Sequence, residues 1–159
     1  ILPLLSPQSK ADLISRMSAR AALAPKAEAA PLIPFLSGLV ARGLRLGVAT
    51  NDAEAPARAH LDAAGISEKF DFIAGFDSGF GAKPAAGQLL AFCDHTGLPP
   101  TQCAMVGDSL HDLHAGRAAG MVTVGVLTGL ATRAELAPSA DIVMGSIADI
   151  PAWLDSSRA

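Results

Sequence analysis

The sequence has no tyrosine, one tryptophan and only six phenylalanines, while alanine and glycine abound. A chain so poor in large rings favours close-packed helices over a β-sandwich core. It has no block of Lys or Arg, and its net charge of -3 leaves no electrostatic footprint for nucleic acid. No apolar run reaches the roughly 18 residues that a membrane helix needs. The opening Ile1-Leu2-Pro3-Leu4-Leu5 is too short and too proline-broken for the core of a signal peptide. There are two cysteines, Cys93 and Cys103, neither in a CxxC pair nor at zinc-finger spacing from a histidine. They are expected to be buried, reduced thiols of a cytoplasmic protein. Methionine is missing at the first position, which points to a fragment, a processed form or an incomplete sequence.

What is present describes a folded chain. Half of the 159 residues are apolar and 17% are charged, enough for one domain with a real core. Residues 1–42 read as a helical segment without a strand. Ser9 is placed to cap a helix running to about Leu23, and a second helix fits Leu32 to Arg42, with Gly43 as its stop.

From residue 43 to 159 the rhythm is strand, loop, helix. Strands are predicted at Leu44–Ala49, Phe70–Ile73, Cys103–Val106, Val122–Val126 and Asp141–Val143. Helices are predicted at Glu54–Ala64, Pro84–Thr96 and Leu110–Ala119, with a terminal helix or turn over Ile147–Leu154. Short, nearly continuous apolar strands alternating with helices predict an α/β fold, a parallel sheet covered on both faces. In such folds ligands bind beyond the carboxyl ends of the strands.

Three strand ends carry chemistry. Gly47-Val48-Ala49-Thr50-Asn51 offers a hydroxyl and backbone N–H groups leading into a helix, an arrangement suited to an anionic oxygen. Thr50 or Asp52 as a plain helix cap is the alternative. Lys83, in Gly81-Ala82-Lys83-Pro84, precedes a predicted helix whose dipole disfavours a cation, so an anion or a carboxylate is expected beside it. A solvated lysine is the alternative. In Gly107-Asp108-Ser109-Leu110-His111-Asp112 the two carboxylates lie four residues apart, facing one cleft. Such hard oxygen ligands suit Mg²⁺. A capping box between Ser109 and Asp112 is compatible with that role. His111 and His114 flank Asp112 but read as exposed helix residues, and Arg58 and Arg117 as surface pairs. Gly129, after the Val122–Val126 strand, borders the cleft or forms a plain turn.

Thr50, then Lys83-Pro84, then Gly107-Asp108-Ser109 with Asp112 resembles, in order and spacing, motifs two to four of the haloacid-dehalogenase (HAD) superfamily, most similar to its phosphoglycolate phosphatase group. The match covers about residues 43–129. The resemblance implies a Rossmannoid α/β/α core, a Mg²⁺ cofactor and hydrolysis of a small phosphorylated metabolite through an aspartyl-phosphate. It implies that Thr50 and the Asn51 backbone hold the phosphoryl group and that Lys83 neutralises phosphate and nucleophile. It also implies that Asp108 ligates Mg²⁺ and Asp112 supports the metal site. Residues 1–42 would then be the remnant of a helical cap with its linker.

One departure stands out. The family's first motif, Asp-x-Asp at the end of the first strand, occurs nowhere in the sequence. The expectation is that the nucleophile, and the central strand that carries it, come from a missing N-terminal segment or a partner strand. A non-catalytic module that binds phosphate, metal or a partner strand is the second reading. A receiver-like phosphoacceptor domain is a third, but no lysine follows Lys83 to serve it.

Overall fold

The computed structural model describes residues 12–15, as backbone, and 31–157. Six parallel strands form one sheet: β1 (Asp12–Ser15), β2 (Arg45–Ala49), β3 (Phe72–Ala74), β4 (Cys103–Gly107), β5 (Val122–Val126) and β6 (Ile142–Met144). Their spatial order is β3-β2-β1-β4-β5-β6. The helices between them are α1 (Leu32–Ala41), α2 (Glu54–Ala63), α3 (Gly87–Thr96), α4 (Leu110–Ala119), α5 (Arg133–Leu136) and α6 (Ile150–Ser156).

The strand residues alternate between two cores, as a pleated sheet buried on both faces must. Leu46, Val48, Ala104, Val106, Val122 and Val124 point to one core, with Leu36 and Leu39 of α1, Leu61 of α2 and Leu154 of α6. Ala49, Cys103 and Met105 point to the other, with Leu89 and Phe92 of α3 and Ala115 and Ala119 of α4. Two glycines allow the second layer its close approach. A Cβ at Gly47 would lie 2.5 Å from the Phe92 ring, and one at Gly116 would lie 2.8 Å from the Met105 Cβ. The expectation of an α/β core with a parallel sheet covered on both faces therefore holds.

The expectation of an all-helical segment 1–42 is corrected. Residues 12–15, placed by the sequence within a helix capped at Ser9, form the interior strand β1. Its register pairs Asp12 with Arg45 and Cys103, and Ile14 with Gly47 and Met105. The rest of the predicted first helix lies outside the described residues. The physical reason is backbone satisfaction. Buried edges of β2 and β4 would leave N–H and C=O groups unmet, and a ladder of three residues with β2 and four with β4 removes that cost. Local alanine-rich propensity loses to it. With β1 in the sheet and α1 in its core, the described part of 1–42 is continuous with the rest of the unit.

The two edge strands are anchored by the aspartates that precede them. Asp71 accepts from the Leu46 N–H at 3.2 Å, and its oxygen lies 3.0 Å from the Arg45 guanidinium. Asp141 accepts from the Thr123 N–H at 2.8 Å, while its own N–H donates to the Thr123 carbonyl at 2.9 Å. Each carboxylate thus fixes a short outer strand, β3 or β6, against its longer neighbour. Asp141→Ala is expected to lower unfolding free energy by about 1–3 kcal/mol, because it strands a backbone donor. A urea melt reads the change as a lower midpoint at an unchanged slope.

Candidate phosphate site

The chain begins its sheet at β1, moves outward through β2 and β3, then returns to the other side of β1 with β4, β5 and β6. The direction of winding therefore reverses at β1, and the crevice beyond its carboxyl end is where such folds place ligands. Thr50 follows β2 on one side and Asp108 follows β4 on the other.

Lys83 joins the two sides. It is 4% exposed, and its Nζ donates to the Ala49 carbonyl at 2.6 Å and to Asp112 Oδ1 at 2.7 Å. Asp112 is fully buried in the first turn of α4. Its other oxygen, Oδ2, accepts from Ser109 Oγ at 2.9 Å and from the Ser109 N–H at 3.3 Å. The capping box foreseen at Ser109 therefore forms, and the same carboxylate also serves the lysine. Gly107 is required by this closeness, since a Cβ there would lie 2.2 Å from the Asp112 Cβ.

The helix expected from Pro84 begins instead at Gly87, four residues after Lys83. The intervening residues make a tight turn containing the cis Lys83–Pro84 bond. The anionic partner predicted for Lys83 is thus the Asp112 carboxylate, presented by another helix rather than held at the start of α3. Asn51 secures the lysine backbone from the opposite side. Its Oδ1 accepts from the Lys83 N–H at 2.8 Å, and its Nδ2 donates to the Lys83 carbonyl at 2.9 Å. Thr50 is buried, and its Oγ1 accepts from the Asp52 N–H at 3.0 Å. This bond closes a local turn and is not the helix cap read as the alternative for Thr50 or Asp52: the N-cap of α2 is Ala53, without a side-chain hydrogen bond. The Thr50 hydroxyl retains a proton to donate.

Asp108 is half-buried at the mouth of the crevice. Gly129 lies against it, so close that a Cβ would fall 2.6 Å from Asp108 Oδ2. Gly129 therefore borders the site. The histidines do not join it: His111 and His114 are exposed on α4, and His114 meets Ser139 Oγ at 3.2 Å. Arg58 pairs with Glu54 at 2.8 Å, as a helix-surface pair. Cys93 and Cys103 are buried thiols with their sulfurs 3.9 Å apart.

A half-buried carboxylate at a strand end, as Asp108 is, has the donor chemistry that a hard divalent cation takes. Both oxygens of Asp112 are engaged by Lys83 and Ser109. Among the described residues no cluster of three His, Cys, Asp or Glu side chains could hold a metal alone.

Two features of the site were not anticipated. Gln88, fully buried on α3, donates from Nε2 to the carbonyls of Thr50 at 3.0 Å and Gly81 at 2.9 Å. Its only sequence signal is a polar residue within an apolar helix stripe. The loop after β3 is tied to α2 through Asp77, which accepts from the Glu54 N–H at 2.8 Å, and through Ser78, which donates to the Glu54 carboxylate. No local pattern announces a helix capped from a distant loop.

Comparison with known proteins agrees with this geometry. The family model of haloacid dehalogenase-like hydrolases matches residues 12–120. The chain belongs to that family. It is 35% identical to a phosphoglycolate phosphatase of Rhodospirillum rubrum over 122 residues, covering 77% of this chain and 51% of the relative. It is 38% identical over 107 residues to a phosphoglycolate phosphatase of Chromobacterium violaceum, covering 67% of this chain and 47% of that one. A crystal structure of a predicted phosphoglycolate phosphatase from Haemophilus somnus superposes with a TM-score of 0.70 at 32% identity. The superposition spans 76% of this chain and 54% of that protein. The chain thus spans about half the length of the curated relatives it matches.

Two outcomes follow from the electrostatics. Lys83→Met leaves the buried Asp112 charge without its cation and is expected to cost about 3–5 kcal/mol. Adding Asp112→Leu removes that charge and should restore part of the loss in a denaturant-based double-mutant cycle. Glu54 is held below the ordinary glutamate range, first by the Ser78 hydroxyl and then by Arg58. A folded-state pKa below the unfolded one stabilises fully above the unfolded value and ceases to stabilise as pH falls through the lowered one. Glu54→Gln should therefore lower stability most near neutral pH, and the difference from the parent should shrink through the acid limb of a pH–stability curve.

Proposed function

We propose that this chain provides the phosphate- and metal-binding part of a phosphatase for small phosphate monoesters, phosphoglycolate-like in substrate. The observation that carries the reading is the convergence of Thr50, Lys83 and Asp108 on the crevice at β1, with Lys83 braced by Asp112 at 2.7 Å. Thr50 Oγ and the Asn51 N–H donate to the equatorial oxygens of a phosphoryl group, and the Lys83 ammonium neutralises their charge. Phosphoryl transfer requires mainly such positioning and charge compensation. Asp108 would hold Mg²⁺, supported by Asp112, and the bound ion supplies further charge neutralisation at the phosphoryl oxygens.

In this reading the nucleophile lies outside the chain. β1 ends at Ser15, followed in sequence by Arg16-Met17-Ser18, and the next acidic residue is Glu28. Asp12 stands at the amino end of β1, beside Arg45 and Cys103. Three residues of strand separate it from Ser15, roughly 10 Å from the end where Thr50 and Asp108 gather. An aspartyl-phosphate needs a carboxylate at that end. β1 already pairs with β2 and β4, so the expected missing central strand is present and no further strand fits between them; a segment outside the 159 residues would have to bring the carboxylate to its end. The same absence favours a second reading, a non-catalytic module that keeps the phosphate and metal pocket. A cytoplasmic setting, consistent with buried reduced cysteines, belongs to the proposal. No helix among the described residues is long and apolar enough to cross a membrane.

The 159-residue chain should bind Mg²⁺ in calorimetry, with Asp108→Asn abolishing the signal, and should not hydrolyse p-nitrophenyl phosphate in the presence of Mg²⁺. Turnover by this chain that disappears in Asp108→Asn would refute the placement of the nucleophile elsewhere.

A further inference from the structure

We propose that Gln88 is a positioning residue whose side-chain amide sets the direction in which the Asn51 N–H meets an anionic oxygen; this rests on the reading that Thr50 and Asn51 receive the phosphoryl group. Gln88 is fully buried, and its Nε2 donates to the Thr50 carbonyl at 3.0 Å. A carbonyl and the N–H of the next residue belong to one planar group, and in a trans peptide they point in opposite directions. The Thr50–Asn51 bond is trans, because Lys83–Pro84 is the one cis bond among the described residues. Drawing the Thr50 carbonyl toward α3 therefore turns the Asn51 N–H away from α3.

The same Nε2 donates to the Gly81 carbonyl at 2.9 Å, two residues before Lys83. One side chain thus joins the end of β2 to the lysine loop. Gly87 makes this contact attainable. A Cβ there would lie 1.9 Å from the Phe80 carbonyl oxygen, so any larger residue would push the loop off α3.

The amide is retained at a cost. Gln88 Oε1 is buried with no hydrogen-bond partner among the described residues. Flipping the amide would set Oε1 against two carbonyl oxygens, so the orientation is fixed by its acceptors. A buried, unmet acceptor lowers stability. Methionine, similar in length and volume, would remove the unmet acceptor but leave the Thr50 and Gly81 carbonyls without this donor. Filling the space does not require an amide, whereas orienting the two carbonyls does.

Inorganic phosphate titrated into ¹⁵N-labelled protein, followed at the Asn51 amide resonance, tests this alongside thermal melts. The parent should show a saturable shift. Gln88→Met should raise the phosphate Kd about tenfold, with a Tm at or somewhat below the parent's because two carbonyls lose their donor. Unchanged phosphate affinity in Gln88→Met overturns the proposal while leaving the phosphatase reading intact. Amide shifts spread over the whole sheet in unliganded Gln88→Met, rather than confined to the end of β2 and the lysine loop, also overturn it, because they mark a general structural role. If Gln88→Met does not fold, Gln88→Glu takes its place, with sulfate as the probe. The introduced carboxyl can donate to a carbonyl only when protonated, so sulfate affinity relative to the parent should be higher at about pH 5 than at about pH 8. Parallel pH profiles for the two proteins overturn the proposal. A parent Asn51 amide that ignores phosphate overturns the underlying reading and the proposal together.

Discussion

The ion pair between Lys83 and Asp112 is the interaction on which the site depends. Lys83 comes from the loop after an edge strand, and Asp112 from a helix on the far side of β1. Burying either charge alone would cost several kcal/mol. The two are therefore tolerated only together, and their meeting fixes how the two halves of the sheet close over the crevice. Three supports serve that meeting. Gly107 lets the Asp112 side chain lie against the strand end, Ser109 holds the second carboxylate oxygen, and the Ala49 carbonyl takes another proton of the ammonium. The result is a buried ammonium group held between the end of β2 and the first turn of α4.

The central strand gives the sheet a different logic from the one its sequence announces. Asp12–Ser15 has only two apolar residues, too few to set a period, and it adjoins an alanine-rich stretch that reads as helix. It becomes a strand because β2 and β4 each offer it a ladder. β1 closes at Ser15, and among its described residues no carboxylate stands at its carboxyl end. Backbone pairing is indifferent to side-chain identity, so the sheet closes whatever residues β1 carries.

Much of the remainder was legible locally. The apolar runs of β2, β4 and β5, the glycine stop at Gly43, and the helix over Leu110–Ala119 follow from period and terminal residues. Thr50, Lys83, Asp108 and Asp112 were legible because each follows a strand or opens a helix in a fixed order. The late start of α3 was not. Its turn is held by Asn51, a residue 32 positions earlier, and no local propensity encodes that contact. The short helix α5, capped by Thr132 with Glu135, was missed because four residues are too few to show a period.

The sequence by itself determined the alternation of strand and helix, the family, and which polar side chains stand at the strand and helix ends around the crevice, because these reside in short-range pattern and motif order. Tertiary structure alone decided which carboxylate answers Lys83, that Asp112 braces the site rather than facing solvent, and that a buried glutamine governs the end of β2. The reason is common to all three. Each is a polar group removed from water whose partner lies between 29 and 38 residues away. Only the packed fold brings such partners within hydrogen-bonding distance, and burial makes the pairing obligatory.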